Sequence, residues 1–286
     1  MTTTDPTVPD WAAIALPDTW PDKLNLKYPH DLLRCAAHAF GFNNKPVQLP
    51  AGVPGAEHLP KYILQEFHNL PNGNYSHRFT RGYITGFNRV MLGEISKSHS
   101  QIAQQLAEKP NVKNGSVLDV GCGGGGLAGA LQKAGVVDVW GLDPSPHLLK
   151  HAAHDWPDIH FLQGVAENTG FSDARFDAIT ACFLLHEIPP RYIAQCLDEW
   201  ARILKPGGLL AFCEPSPVQL QQNFLALWRN YGWRGMYFHA LACFIHEPFL
   251  AAWHKQDIPT LLQQHGFELI QHELGMPMRH VLARKC

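Results

Sequence analysis

The chain has 286 residues, 45% of them hydrophobic and 17% charged, with a net charge of −2. That apolar share excludes a disordered chain, and the near-neutral balance excludes a basic footprint for nucleic acid or an anionic membrane surface. Seven cysteines without a CxxC pair read as reduced thiols, and no basic segment followed by an apolar run stands at the start, so a cytoplasmic protein is predicted. No stretch is apolar for long enough to predict stable membrane insertion.

Residues 1–60 are proline-rich, with one helical island at 31–42 and a loop, PAGVPGAEHLP, at 50–60. From 61 to 109 the pattern is helical. Phe79, Tyr83, Phe87, Met91 and Ile95 recur every four residues as one apolar stripe, the mark of a helix packed on a core, and Pro110 ends it. The chain then alternates. Strands are predicted at 116–121, 136–142, 159–163, 176–182 and 209–213, with helices around 126–134, 145–154 and 191–204 and a KPGG turn at 205–208. Short apolar strands between helices imply a mostly parallel sheet covered on both faces.

Residues 216–256 break this rhythm as an aromatic, helical insertion too long for a connection. A helix at 257–265 follows, with Asp257 as N-cap and Gly266 past its end, and strands at 267–273 and 279–285 make an antiparallel closing hairpin. The expected organisation is a mostly helical N-terminal extension or lid over 1–109. An α/β, Rossmann-like domain over 110–286 then carries a mostly parallel seven-stranded sheet and a helical cap at 216–256.

The first strand runs into VLDVGCGGGG, where Gly121, Gly123 and Gly126 satisfy G-x-G-x-x-G. Glycines here permit a tight strand-to-helix turn and let a ligand touch bare backbone. Asp119 precedes the first glycine by two places. A carboxylate gains nothing beside a pyrophosphate, but suits a cationic group such as an amino-acid ammonium. Asp143 follows Gly121 by 22 residues and ends the second strand in GLDPSP, the place of an acid that binds both ribose hydroxyls. Together the two acids describe a nucleoside with an amino-acid tail and no phosphate.

VLDVGCGGGG, GLDPSPHLL, FDAITACFLLHEIPP and RILKPGGLL, in this order and spacing, resemble class I S-adenosylmethionine-dependent methyltransferases, in particular the small-molecule branch typified by quinone-biosynthesis enzymes. The resemblance covers 110–213 by motif and 257–285 by topology, and does not reach 1–109 or 216–256. It implies S-adenosyl-L-methionine as cofactor, with Asp119, Gly121 and the Cys122–Gly123 backbone on its methionine part. Asp143 would then hold the ribose and Pro144 would lie beside the adenine. The loop Gly164–Glu167, including Val165 and Ala166, would flank the adenine, and Phe183 would lie near the cofactor's centre. Relatives often carry an acid at the position of Val165 to accept the adenine amino group. Valine leaves that task to backbone or to Glu167. A helix folding over the cofactor from the N-terminal side would bring Arg81 or Tyr75 to its carboxylate.

His186, just after the fourth strand, stands where open α/β sheets bind ligands and is the candidate general base; the alternative is a structural histidine capping the next helix. Glu214, ending the fifth strand, faces the same side in a structural or substrate-binding role. His147, His151 and His154 share a helical face without an acidic or cysteine partner, so they are read as solvated and no metal is predicted. The acceptor expected is a small aromatic or amphipathic molecule seated between 216–256 and one helix over 76–109, with Trp228 and Tyr237 in contact with it. A homodimer interface is the other use of those aromatics. An NAD-dependent dehydrogenase shares the glycine fingerprint, but Asp119 and the closing hairpin argue against it. A non-catalytic cofactor-binding protein is the third reading.

Overall fold

The computed structural model describes residues 6–40 and 45–286, so the end of the predicted 31–42 helix lies outside the described residues. The N-terminal extension supplies α1 (Pro29–Ala39), α2 (His77–Val90) and α3 (Glu94–Ala107). Pro110 does not end a helix but opens a one-turn α4 (Pro110–Lys113), where its missing N–H leaves no bond unmade.

Two expectations for this region need correction. Residues 61–76 are not helical but a run of turns with a 3-10 segment at Phe67–Asn69, because His68, Asn69, Asn72 and Gly73 all take positive φ. Side chains hold the segment instead. Buried Glu66 accepts from the backbone N–H of Lys45 (3.1 Å) and Asn72 (2.8 Å) and lies 2.8 Å from His38 Nδ1. The stripe from Phe79 to Ile95 is likewise not one helix. Leu92 and Gly93 turn left-handed (φ 52° and 81°), and the Gly93 N–H closes the end of α2 on the Asn88 carbonyl at 2.8 Å.

The domain that follows contains β1 (Ser116–Val120), α5 (Gly126–Lys133), β2 (Asp138–Asp143), α6 (Pro146–Asp155), β3 (His160–Gln163), β4 (Phe176–Cys182), α7 (Pro190–Ile203) and β5 (Leu204–Pro215). The insertion adds α8 (Val218–Gln221), α9 (Phe224–Phe244) and α10 (Leu250–Trp253); α11 (Ile258–Gln264), β6 (Phe267–Leu274) and β7 (Met278–Lys285) complete it. Strand order is β3-β2-β1-β4-β5-β7-β6, parallel from β3 to β5 and antiparallel at β5–β7–β6. The expected seven-stranded, Rossmann-like sheet is the one observed. KPGG is a turn within β5 rather than before it. Leu204 pairs with Phe176, the chain bulges out through Gly207 (φ 72°), and pairing resumes at Leu209–Ala178.

Alternation along the strands divides the core. Leu118, Val120 and Phe212 face α7 and α11, while Val117, Ala211 and Cys213 face α3, α5 and α6. Edge strand β3 is covered by the N-terminal segment, whose buried Trp11 donates its indole N–H to the Phe161 carbonyl at 2.9 Å. The order reverses between β1 and β4, and a crevice opens there at the carboxyl ends of the strands. Among the described residues no helix is long and apolar enough to cross a membrane.

Trp200 on α7 is fully buried and donates its indole N–H to the Ala166 carbonyl (3.1 Å), tying the helix to the loop after β3. Trp200→Ala is expected to lower unfolding free energy by about 3–5 kcal/mol. Urea denaturation followed by tryptophan fluorescence checks this, and a loss under about 1 kcal/mol contradicts the packing described.

Candidate functional site

A cavity of about 240 Å³ occupies the crevice. Its floor is backbone. Gly121 and Cys122 donate their N–H groups to the Leu142 carbonyl (2.8 and 3.0 Å), which draws the turn after β1 onto the end of β2. Gly121, Gly123 and Gly125 take φ of 68°, 53° and 77°, values that side chains resist. A Cβ on Gly123 would meet nothing within 4 Å, so the backbone there faces open cavity; one on Gly121 would strike Leu184 Cδ1 at 2.8 Å.

Asp143 lines the cavity at the end of β2. Its two carboxylate oxygens accept from the N–H groups of Gly123 (2.9 Å) and Ser145 (2.8 Å), which fixes its orientation. Burial nevertheless pushes the carboxyl up to about 6, outweighing those two donors. Asp119 is not in the cavity wall. It lies behind the glycine turn, 1% exposed, accepting from the Ala128 N–H (3.1 Å) and the Thr180 hydroxyl (3.0 Å), and burial lifts it to about 7.

Gly121, Cys122, Gly123, Asp143, Pro144, Val165, Ala166 and Phe183 all line the one cavity. Phe183 does so from a left-handed backbone (φ 58°), its N–H held by the Cys213 carbonyl at 2.9 Å. Arg81 is exposed on α2 and is not part of the wall; Tyr75 is. Glu167, expected beside the adenine, is engaged by the Tyr62 hydroxyl at 2.8 Å. His186 is fully buried behind the wall, with Nδ1 2.6 Å from Glu214 Oε2. Glu214, also fully buried, accepts from the N–H groups of Leu184 (2.9 Å) and Leu185 (2.8 Å) through its other oxygen. These contacts occupy both of its oxygens within the protein. His147 is 2% exposed and packs against Tyr75 and His77, so it is not solvated; His154 is.

The other half of the wall was expected from residues 76–109 and is found there in part, while its share from 62–74 had no signal in the sequence. Tyr62, Ile63, Gln65, Phe67 and Asn74 come from the irregular segment before α2, where no periodicity marks them. Tyr83, Ile84, Phe87, Asn88, Ile95 and His99 come from α2 and α3. Of the four-residue stripe, Tyr83, Phe87 and Ile95 line the cavity, while Met91 is buried in the core and Phe87 and Ile95 also pack against it. No residue of 216–256 lines the cavity, and Trp228 and Trp233 are more than half exposed.

Glycine turn, acid at the end of β2 and antiparallel closing hairpin are the features that the resemblance to class I S-adenosylmethionine-dependent methyltransferases implies, and residues 117–208 match the family described as a methyltransferase domain. An uncharacterized methyltransferase of Synechocystis sp. is 28% identical over 204 residues, which is 70% of this chain and 88% of that protein. The demethylmenaquinone methyltransferase of Chlorobaculum tepidum is 38% identical over 99 residues, 35% of this chain; the chain spans only 40% of that relative's length. A solved protein of Pyrococcus horikoshii OT3 shares the fold, with a TM-score of 0.51 at 20% identity over 66% of this chain and 91% of that one.

The residues present fit this cofactor. Asn74 Oδ1 and Tyr75 Oη are buried in the wall without a hydrogen-bond partner, as polar groups that await a ligand would be. The cavity's acid suits a cationic, phosphate-free molecule. Because a protonated Asp143 loses its charge, S-adenosylmethionine affinity is expected to fall on acidification, by about tenfold per pH unit below pH 6. Calorimetric titration between pH 5 and 8 checks this. Asp143→Asn is expected to bind weakly with a flattened profile; a wild-type affinity independent of pH contradicts the assignment.

Proposed function

We propose that this chain transfers a methyl group to a small aromatic or amphipathic acceptor by in-line displacement. One observation carries the reading: a single cavity joins the glycine turn and Asp143 to a wall of Tyr83, Phe87, Ile95, Phe183, Leu184 and Ile188. When bound, S-adenosylmethionine supplies an already activated sulfonium methyl. The protein's share is therefore alignment and exclusion of water rather than bond activation.

Gly121, Gly123, Asp143, Pro144, Val165 and Ala166 hold the cofactor, with Asn74 and Tyr75 as further polar contacts. Asp119 acts indirectly, bracing α5 and β4 beneath the turn. Phe183 separates the two halves. Its ring meets Phe87 edge-on at 6.4 Å, so the aromatic pair forms one side of the acceptor space. Burial and the charges of Glu187 and Glu247 push the Tyr83 phenol well up, so it stays neutral and serves as wall and hydrogen-bond donor. His186 is a positioning residue: with Glu214 it fixes the turn Leu185–Glu187 that presents Leu184 and Ile188. The relatives named for demethylmenaquinone support an aromatic acceptor, as does the aromatic wall itself. The thiols of the chain suit a reducing, cytoplasmic setting.

Incubation with S-adenosylmethionine and a panel of hydroxylated aromatics, followed by mass spectrometry, tests the reaction. Phe87→Ala is expected to raise the acceptor KM about tenfold or more while cofactor Kd stays within about twofold. Trp228→Ala should change neither. Equal loss of both affinities in Phe87→Ala would assign the aromatic wall to the cofactor and overturn this division of the cavity.

A further inference from the structure

We propose that His68, His186, Glu187 and Glu247 bind one divalent transition-metal ion at the acceptor end of the cavity, resting on the methyl-transfer reading for its role but not for its existence. The four come from three separate segments: the turn before α2, the turn after β4, and the link between α9 and α10. Each offers one ligand atom, and these four atoms lie within 4.8 Å of one another. His68 Nε2 is 3.1 Å from Glu187 Oε1 and 3.1 Å from Glu247 Oε1; His186 Nε2 is 3.5 Å from Glu247 Oε2. Four donors each about 2.1 Å from one tetrahedral centre stand about 3.4 Å apart, so these spacings suit a shared ion.

Hydrogen bonds do not account for the arrangement. His68 Nε2, His186 Nε2 and Glu247 Oε2 are all buried without a hydrogen-bond partner, in side chains 4%, 0% and 9% exposed. The tautomer of His186 sharpens the point. Glu214 already takes three backbone N–H groups and is an acceptor, so His186 Nδ1 must donate to it. His186 Nε2 then faces Glu247 Oε2 at 3.5 Å, and it meets that carboxylate either through a proton of its own or through a cation that both can ligate. In a site this dry, a metal ion can stand where that proton would, drawing both side chains into one shell. A carboxylate that fixes the far nitrogen of an imidazole is also the usual support of a metal-bound histidine.

The backbone is arranged to the same end. His68 holds φ 58°, a costly value for a non-glycine residue, with its N–H on the His246 carbonyl at 3.3 Å. That bond brings the segment carrying Glu247 to the turn carrying His68. Two imidazoles and two carboxylates favour Zn²⁺, Mn²⁺ or Fe²⁺ over Mg²⁺ and Ca²⁺, which prefer all-oxygen shells. Because Glu187 lines the cavity beside Phe183, Leu184 and Ile188, the ion faces the acceptor space. The acceptor class it fits presents a hydroxyl oxygen, which the ion would orient and acidify.

The test uses the full chain, stripped with a chelator and titrated with Zn²⁺ and with Mn²⁺ by calorimetry, with metal content checked by elemental analysis. The expected result is one ion per chain, weakened at least about tenfold in His68→Ala and in Glu247→Gln. S-adenosylmethionine affinity should change less than about twofold in both, which also shows that each is folded. Co²⁺ loading of the wild-type chain should give visible ligand-field bands that are absent from Glu247→Gln. No saturable binding by wild type, or equal binding by both variants, overturns the site and leaves a proton-linked cluster in its place. Methyl transfer that persists in the metal-free chain overturns the ion's role while the proposed function stands. Stoichiometric metal with cofactor binding but no transfer to any hydroxylated acceptor overturns the acceptor class and not the site.

Discussion

Two backbone N–H groups converging on one carbonyl, those of Gly121 and Cys122 on Leu142, set the geometry on which the site depends. They fold the chain leaving β1 sideways onto the end of β2. That places the Gly123 N–H within 2.9 Å of Asp143 and leaves its α-carbon facing open space. Only glycines follow this path cheaply, because Gly121, Gly123 and Gly125 all take left-handed φ. The turn is also wedged from outside. A Cβ at Gly125 would sit 2.9 Å from Trp156, and one at Gly126 would sit 2.9 Å from His99. The turn is thus bare backbone by necessity, with Asp143 beside it in the cavity wall.

Buried carboxylates recur as the device that fixes irregular chain. Asp119 braces the first turn of α5 against β4, Glu66 holds the segment before α2, and Glu214 collects three backbone N–H groups and an imidazole from the turn after β4. Each satisfies N–H groups that no helix or strand ladder reaches. Burial raises both Asp119 and Asp143 towards neutrality, against the N–H and hydroxyl donors that favour their charged forms.

The sheet was readable because its signal is local. Apolar strands such as FDAITAC, a glycine turn and an acid at a fixed distance each follow from chain geometry within about 25 residues. Strand β4 was predicted at its observed bounds, 176–182. The break between α2 and α3 was not, because the four-residue stripe continues through Leu92 and Gly93 as if the helix did. Side-chain roles that depend on distant segments were least legible. Nothing in the sequence places Tyr62 on Glu167, His68 beside Glu247, or Glu214 behind His186, since those pairs meet only in the folded chain. Aromatic content misled at 216–256. Trp228 and Trp233 are more than half exposed, and apart from Phe183 the cavity's aromatics come from the N-terminal side.

The division of one cavity into a cofactor half and an acceptor half is the claim on which the functional account turns. A crystal structure of the full chain with S-adenosylhomocysteine tests it most directly. The account predicts ribose hydroxyls on Asp143, the amino-acid tail along Gly121–Gly123, and the sulfur directed past Phe183 towards Phe87 and Tyr83. Adenine or the amino-acid tail found among Phe87, Tyr83 and Ile95 would contradict it.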